Sequence, residues 1–236
     1  MSEKLSVLDI EIDQLTAKEA IKNCVMYLDT EPVNIVEMVT VDGLMQMEMT
    51  TDLKESVRQF DMLIAGDTTI LDAASVRERR YLQETEDQTF LKLVFKYFHK
   101  NHKRVYLLVE SEEEGQDLYG YIERHYGGLQ IVGLAKVSAE NRADDMLVNA
   151  INGSEADCVI SFLSVPLQEE FILKNRGVIN TRIWLGIGKD ILLYRKQNNM
   201  QGRFGRFITK YIFRKEIEKR KRIQQILQRI YIKIVK

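Results

Sequence analysis

Short apolar runs rich in β-branched residues alternate along the chain with longer stretches in which apolar residues recur every three or four positions. Thr16 followed by Glu19 makes a capping box ahead of Ala17, Ala20, Ile21, Val25 and Leu28, predicting a first helix that ends near Asp29, before Pro32. Val33–Thr40 reads as a buried strand, Asp42–Thr50 and Asp52–Phe60 as helical, and Met62–Ala65 as a short strand with a helix starting just after Asp67. Gln88–Lys100 is helical, Arg104–Val109 a strand, Glu112–Tyr126 a helix closed by Gly127-Gly128, and Leu129–Leu134 the next strand. Ala139–Ile151, Asp157–Leu163, Gln168–Asn175 and Arg182–Gly186 continue the series as helix, strand, helix, strand. The fold class that follows is α/β: a Rossmann-like, mostly parallel sheet of five or six strands with helices on both faces.

Beyond Gly188 the pattern changes. Phe204, Phe207, Ile208, Tyr211 and Ile212 recur at helical spacing, and after the basic run Arg214–Arg222 so do Ile223, Ile226, Leu227, Ile230, Tyr231 and Ile234. This predicts a basic amphipathic appendage of one or two helices. Charge follows the same division: the net charge is −1 overall, but residues 195–236 carry +12 and the rest −13. The expected organisation is an α/β domain over residues 1–195 and a basic helical appendage over 196–236. A cationic tail attracts an anionic partner such as a membrane surface, or else packs on an acidic body. Nucleic acid is not expected, because the tail lacks the stacking platform and fold motifs of such modules. No apolar run approaches the ~18–20 residues that span a bilayer, and no basic leader precedes an apolar stretch at the N-terminus. Cys24 and Cys158, both among apolar residues, suit buried thiols in a reducing cytoplasm.

In open α/β sheets the ligand lies beyond the carboxyl ends of the strands. Those ends carry Thr40, Asp42, Gly66, Asp67, Thr68, Glu110, Ser111, Ser164, Gln168, Gly186, Gly188 and Lys189. Hydroxyls and backbone N–H groups there suit a diphosphate, and a carboxylate can take a proton from an attacking hydroxyl. Asp67 is equally suited to capping the helix after it. His99 and His102 lie among Lys96, Lys100 and Lys103, favouring a solvated basic patch over a metal site. Gly186-Ile187-Gly188-Lys189 has neither dinucleotide nor Walker spacing, and Asp144-Asp145 reads as a solvated helix face. No cofactor and no metal is expected.

Lys103-Arg104-Val105-Tyr106-Leu107-Leu108, then Tyr126-Gly127-Gly128-Leu129-Gln130-Ile131-Val132-Gly133, resembles the "RVFLLG … YPGLxIVG" of the WecG/TagA/CpsF glycosyltransferase family. Ser164-Val165-Pro166-Leu167-Gln168-Glu169-Glu170-Phe171-Ile172 is similar to its "GxPxQExWI". With Leu8–Leu28, Thr40–Leu44, Phe60–Ser75 and Arg182–Asp190, the likeness covers most of the chain. It implies an inverting, metal-independent transfer of an N-acetylated hexosamine, of the N-acetylmannosamine type, from a UDP-sugar to a polyprenyl-diphosphate-linked sugar. The product would be cell-surface polysaccharide or teichoic acid, made at the cytoplasmic face of a bacterial membrane.

With the resemblance, Asp67 and Thr40 are expected as the catalytic residues, Asp67 as general base and Thr40 with Asp42 placing the sugar. Gly66, Thr68, Ser164, Gln168, Glu169, Gly186 and Gly188 are expected to bind substrate, and Lys189, where the family has Gly, to offset the charge of departing UDP. Arg206, Lys210, Arg214, Arg220 and Arg222 fall to the lipid diphosphate and membrane. The family's "TPN" is Thr40-Val41-Asp42 here, "PDGxG" is Ala65-Gly66-Asp67-Thr68-Thr69 with Gly and Asp transposed, and "GVGG" carries Lys189 at its last Gly. A catalytically silent descendant that binds a nucleotide sugar as a membrane scaffold is the alternative. Whether several copies assemble is left open.

Overall fold

The structure, a computed structural model, describes residues 3–137, 144–188 and 200–235. It divides into two compact units, 1–196 and 197–236.

In the larger unit six strands form one all-parallel sheet: β3 (Asn34–Val39), β4 (Met62–Ala65), β5 (Arg104–Val109), β6 (Gln130–Lys136), β7 (Cys158–Ser161) and β8 (Ile183–Gly186), in the order β4-β3-β8-β7-β5-β6. A parallel sheet needs both faces covered, and the mostly apolar four central strands, broken by Glu37 in β3, suit that need. One face is covered by α1 (Ala17–Tyr27), α6 (Thr89–Lys100) and α7 (Glu112–Tyr126). Phe90, Leu91, Val94, Phe95 and Phe98 of α6 are buried there with Val36, Leu107, Ile160 and Leu185 of the sheet, and with Cys24 and Cys158. Helices α2 (Val41–Met49), α3 (Thr51–Val57), α8 (Asp144–Gly153) and α9 (Leu167–Asn175) complete the crossovers. On the face opposite the apolar cluster, Phe171 of α9 stacks on Trp184 of β8 at 5.6 Å.

The capping box forms: Glu19 N donates to Thr16 Oγ1 at 3.3 Å and Thr16 N to Glu19 Oε2 at 2.8 Å. Two elements go beyond the sequence expectation. An N-terminal hairpin, β1 (Glu3–Val7) and β2 (Ile10–Gln14), turns through Leu8 and Asp9, both at positive φ. It guards the sheet edge, because Asp13 accepts the Leu63 N–H at 3.0 Å and is itself paired with Lys4 at 2.6 Å. After α4 (Thr68–Ala73), a further helix, α5 (Arg79–Glu86), buries no residue, yet its Glu84 accepts the Ala17 N–H at the start of α1 at 2.6 Å.

The smaller unit is one continuous helix, α10 (Met200–Val235), rather than two. At 1.5 Å per residue it is about 54 Å long. Glu216 pairs with Lys219 at 3.7 Å and Arg220 at 3.6 Å, and Lys215 lies over the Tyr211 ring at 5.6 Å. Among the described residues no helix is long and apolar enough to cross a membrane.

Candidate active site

The strand order places the site. From β3 the chain crosses outward to β4, whereas the neighbouring β8 is reached from β7 on its other side. The outgoing connections part between β7 and β5, from which the chain crosses to β8 on one side and to β6 on the other, and the starts of α2, α4 and α9 gather around the crevice along the carboxyl edge from β7 across β8 to β3 and β4.

Thr40 ends β3 and caps α2, its Oγ1 accepting the Gly43 N–H at 3.0 Å. A hydroxyl that accepts there still carries its own proton to donate. A side chain at Gly43 would press on Val165 Cγ2 at 3.2 Å, so the turn before α9 lies against the first turn of α2. Gly188, after β8, has φ +74°, and a Cβ on it would stand 3.5 Å from Thr40 Cγ2. The left-handed backbone favours glycine at this position, while the contact with Thr40 is an ordinary van der Waals one. Gly66 N donates to Val39 O at 2.8 Å, which sets Asp67 beside the end of β3. Asp67 caps α4 through Oδ1, 2.7 Å from Thr69 N. Thr40, Asp42, Gly66, Asp67, Thr68 and Ser164 are all half-buried, at the mouth of the crevice.

Behind them lies a buried polar layer. Gly186 pairs in register with Glu37 of β3 on one side and Ser161 of β7 on the other, so all three positions face the same way. Over them sits the start of α9: a Cβ on Gly186 would come within 2.6 Å of Gln168 Nε2. Gln168 is 1% exposed, Glu169 0% and Glu37 3%. Glu169 Oε1 accepts from Gln168 Nε2 at 3.4 Å. Burial, the Glu169 charge and a hydrogen bond with Glu169 hold the Glu37 carboxyl well above the usual carboxylate range. Glu169 is pushed up to about 7, mainly by burial, against the lowering effect of its hydrogen bonds.

The residues named from the sequence fall into three groups. Thr40, Asp42, Gly66, Asp67, Thr68, Ser164, Gln168, Gly186 and Gly188 are brought together along the carboxyl edge of four neighbouring strands, β4, β3, β8 and β7. Glu169 lies beneath that edge, fully buried beside Glu37. Lys189 is outside the described residues, as is the side chain of Arg206. Lys210, Arg214, Arg220 and Arg222 lie on α10, in the other unit. Glu37 was absent from the sequence reading; its signal is a single carboxylate inside the apolar run Ile35-Val36-Glu37-Met38-Val39.

The other polar features resolve locally. His99 Nδ1 accepts the Gly128 N–H at 2.8 Å and His102 Nδ1 lies 3.2 Å from Gly128 O, so both bond the turn after α7, while His102, Lys96 and Lys100 stay exposed. Asp144, expected on a solvated face, is buried and paired with Lys174 at 2.7 Å. Glu110 accepts the Ser164 N–H and tethers the turn before α9. Among the described residues no group of three His, Cys, Asp or Glu is placed to hold a metal ion.

Residues 5–197 match the sequence model of the Glycosyl transferase WecG/TagA/CpsF family. Two relatives from Staphylococcus aureus are each called N-acetylglucosaminyldiphosphoundecaprenol N-acetyl-beta-D-mannosaminyltransferase. The one from strain MRSA252 is 20% identical to this chain over 194 residues, covering 81% of the chain and 75% of the relative. That from strain NCTC 8325 / PS 47 is 19% identical over the same spans. With the family match extending over most of the sequence, and with the parallel sheet and its switch point in place, the chain belongs to the WecG/TagA/CpsF family of glycosyl transferases.

Proposed function

We propose that the protein is an inverting, metal-independent glycosyltransferase that moves N-acetylmannosamine, or a close N-acetylated hexosamine, from its UDP-sugar to a polyprenyl-diphosphate-linked sugar. The observation that carries the reading is the convergence of Thr40, Asp67, Gln168 and Gly188 at the carboxyl ends of adjacent parallel strands. The relatives' names supply the chemistry of donor sugar and acceptor.

In this scheme the acceptor hydroxyl oxygen attacks the anomeric carbon from the face opposite UDP. The bond to the β-phosphate oxygen breaks and its electron pair leaves with UDP. Asp67 takes the hydroxyl proton. Capping α4 and accepting a proton are compatible, since a carboxylate has acceptor sites on both oxygens, and the cap fixes its direction. Thr40 and Asp42 hold sugar hydroxyl or acetamido groups, Thr68 and Ser164 line the mouth, and the backbone at Gly66, Gly186 and Gly188 admits the diphosphate closely. Gln168 meets the donor, and Lys189 offsets the charge that builds on departing UDP. On α10, Lys210, Arg214, Arg220 and Arg222, with Arg206, attract the lipid diphosphate and the anionic membrane that carries it. The enzyme then works as a peripheral protein on the cytoplasmic face of that membrane.

The test is release of UDP from UDP-N-acetylmannosamine in the presence of a prenyl-diphosphate N-acetylglucosamine acceptor. Wild type should turn over, and Asp67→Asn should lose about 10²–10⁴-fold in kcat, the usual span for a general base. Calorimetric binding of the UDP-sugar without turnover would replace this reading with the scaffold one.

A further inference from the structure

The buried layer under the crevice holds two carboxyl groups in contact, with no cation bonded to either among the described residues. Among the described residues, neither Glu37 nor Glu169 is bonded to a Lys or Arg. Carboxylates only accept hydrogen bonds, so two of them side by side have no bond to make. Glu169 Oε1 takes the Gln168 amide, while Glu169 Oε2 has no donor among the described residues. Ser161 Oγ and Gln168 Oε1, in the same layer, are likewise buried without a partner there. One added proton resolves the clash: it converts one carboxyl into a donor, gives the orphaned oxygen a bond, and removes half the buried charge.

We propose that Glu37 is a positioning residue of the donor site, sharing a single proton with Glu169 so that the acid pair holds the Gln168 amide over Gly186. The role in donor binding rests on the reading of Gln168 given above; the shared proton does not.

The geometry makes this a lever. Glu37 lies three residues before Thr40 on a central strand, and Glu169 follows Gln168 in the first turn of α9, so the pair ties β3 to α9 directly beneath the crevice. The ring stack of Phe171 on Trp184 locks the rest of α9 to β8. Among the described residues, few other charges bear on the pair. Glu170, its neighbour on α9, adds a repulsive charge, and β7 and β8 offer Ser161 and Gly186, which do not titrate. From α8, Asp144 is spent on Lys174. On α3, which packs against α9, Lys54 is taken by Glu48 and Asp9, and Arg58 holds Glu55; the remaining acids of α2 and α3 are Asp42 and Asp52.

Both carboxyls have raised proton affinity in the folded chain, so the folded state binds more protons than the unfolded one. Stability from the pair is therefore complete below the unfolded value of 4.5 and is lost as pH rises through about 7 and beyond. Full deprotonation sets two negative charges against each other and pushes α9 off the strand end, taking Gln168 with it.

Three readouts on the full-length protein test this, with Glu37→Gln as the central variant because its amide supplies a permanent donor in place of the proton. Infrared spectroscopy of wild type with ¹³C-labelled glutamate should show a protonated carboxylic acid band at neutral pH, absent in Glu37→Gln. The wild-type Tm should fall between about pH 5 and about pH 9, while that of Glu37→Gln stays nearly level. The Kd for UDP, measured by calorimetry, should weaken about tenfold across the same range in wild type and much less in Glu37→Gln. Glu37→Leu, which fills the space without a donor or acceptor, should bind UDP weakly at every pH. Should Glu37→Leu fail to fold, Glu37→Gln alone still decides. Absence of the acid band, or equal pH slopes of Tm in wild type and Glu37→Gln, overturns the shared proton. UDP affinity that varies with pH identically in the two proteins overturns the positioning role. If no variant binds UDP at any pH, the donor-site reading itself falls, and the acid band still judges the pair.

Discussion

The two faces of the central sheet differ at their carboxyl ends. Beneath α1, α6 and α7 the buried cluster is apolar throughout, aromatic and aliphatic side chains with two thiols. Beneath α9 the same strands bury Ile35, Val159 and Trp184 but, at their carboxyl ends, also Glu37 and Ser161, which meet the buried Gln168 and Glu169 of α9. The alternation of β-strand side chains means that both faces are written into the same few residues: Val36 and Met38 look one way, Glu37 the other. Apolar burial stabilises at about 25 cal/mol per Å², whereas a buried polar group without its full set of bonds costs stability. The polar layer is therefore not there to hold the fold together. It lies at the carboxyl end of the sheet, where ligands bind in such folds, and that placement accounts for it.

The sharpest contrast comes from truncating each face. Phe95→Ala, on the apolar face and fully buried, should cost about 3–5 kcal/mol in denaturant unfolding, with UDP affinity unchanged in the folded protein. Loss of UDP binding without loss of stability would break the division of labour. Gly186→Ala should do the reverse: the added methyl meets Gln168 Nε2, so UDP affinity falls about tenfold while stability drops by about 1–3 kcal/mol. An unchanged Kd would show that the Gln168 amide is not part of the site.

Smaller changes refine the picture. Thr16→Ala removes one half of the capping box of α1 and should cost about 1 kcal/mol, or about 2–4 °C in Tm, with no effect on ligand binding. Ser161→Ala should be the mildest, within about 0.5 kcal/mol of wild type or stabilising, because it deletes a buried hydroxyl that has no partner among the described residues. A clear destabilisation would mean that the hydroxyl is bonded, by a water or by Glu37.

Much of this was legible in the sequence, for physical reasons that can be named. β4, β5 and α7 fall on their predicted residues, because Gly, Asp and Ser punctuate runs of unambiguous period. Thr40 and Asp67 could be placed at helix starts because small oxygen-bearing side chains mark that position. The N-terminal hairpin escaped because its turn is Leu8-Asp9, with none of the glycine or asparagine that announces positive φ. Leu8 is buried, and this packing, which no local pattern reveals, offsets the backbone cost. α5 escaped because a helix that buries nothing has no apolar face to read. His99 and His102 both bond Gly128, a contact across the chain that the neighbouring lysines do not announce, although His102 stays exposed. Gln168 and Glu169, both expected at the ligand, are both buried in the first turn of α9, a depth set by the tertiary packing of that helix and by no local pattern.

The central claim is that the crevice over β3 and β8 is where the nucleotide sugar binds. Hydrogen–deuterium exchange of the full chain with and without UDP-N-acetylmannosamine tests it directly. The account predicts slowed exchange at residues 40–43, 66–69, 164–169 and 186–188. It predicts no change at residues 99–102 and 126–130, at the far end of the sheet. Protection confined to that far end, or to the hairpin at residues 3–14, would contradict it.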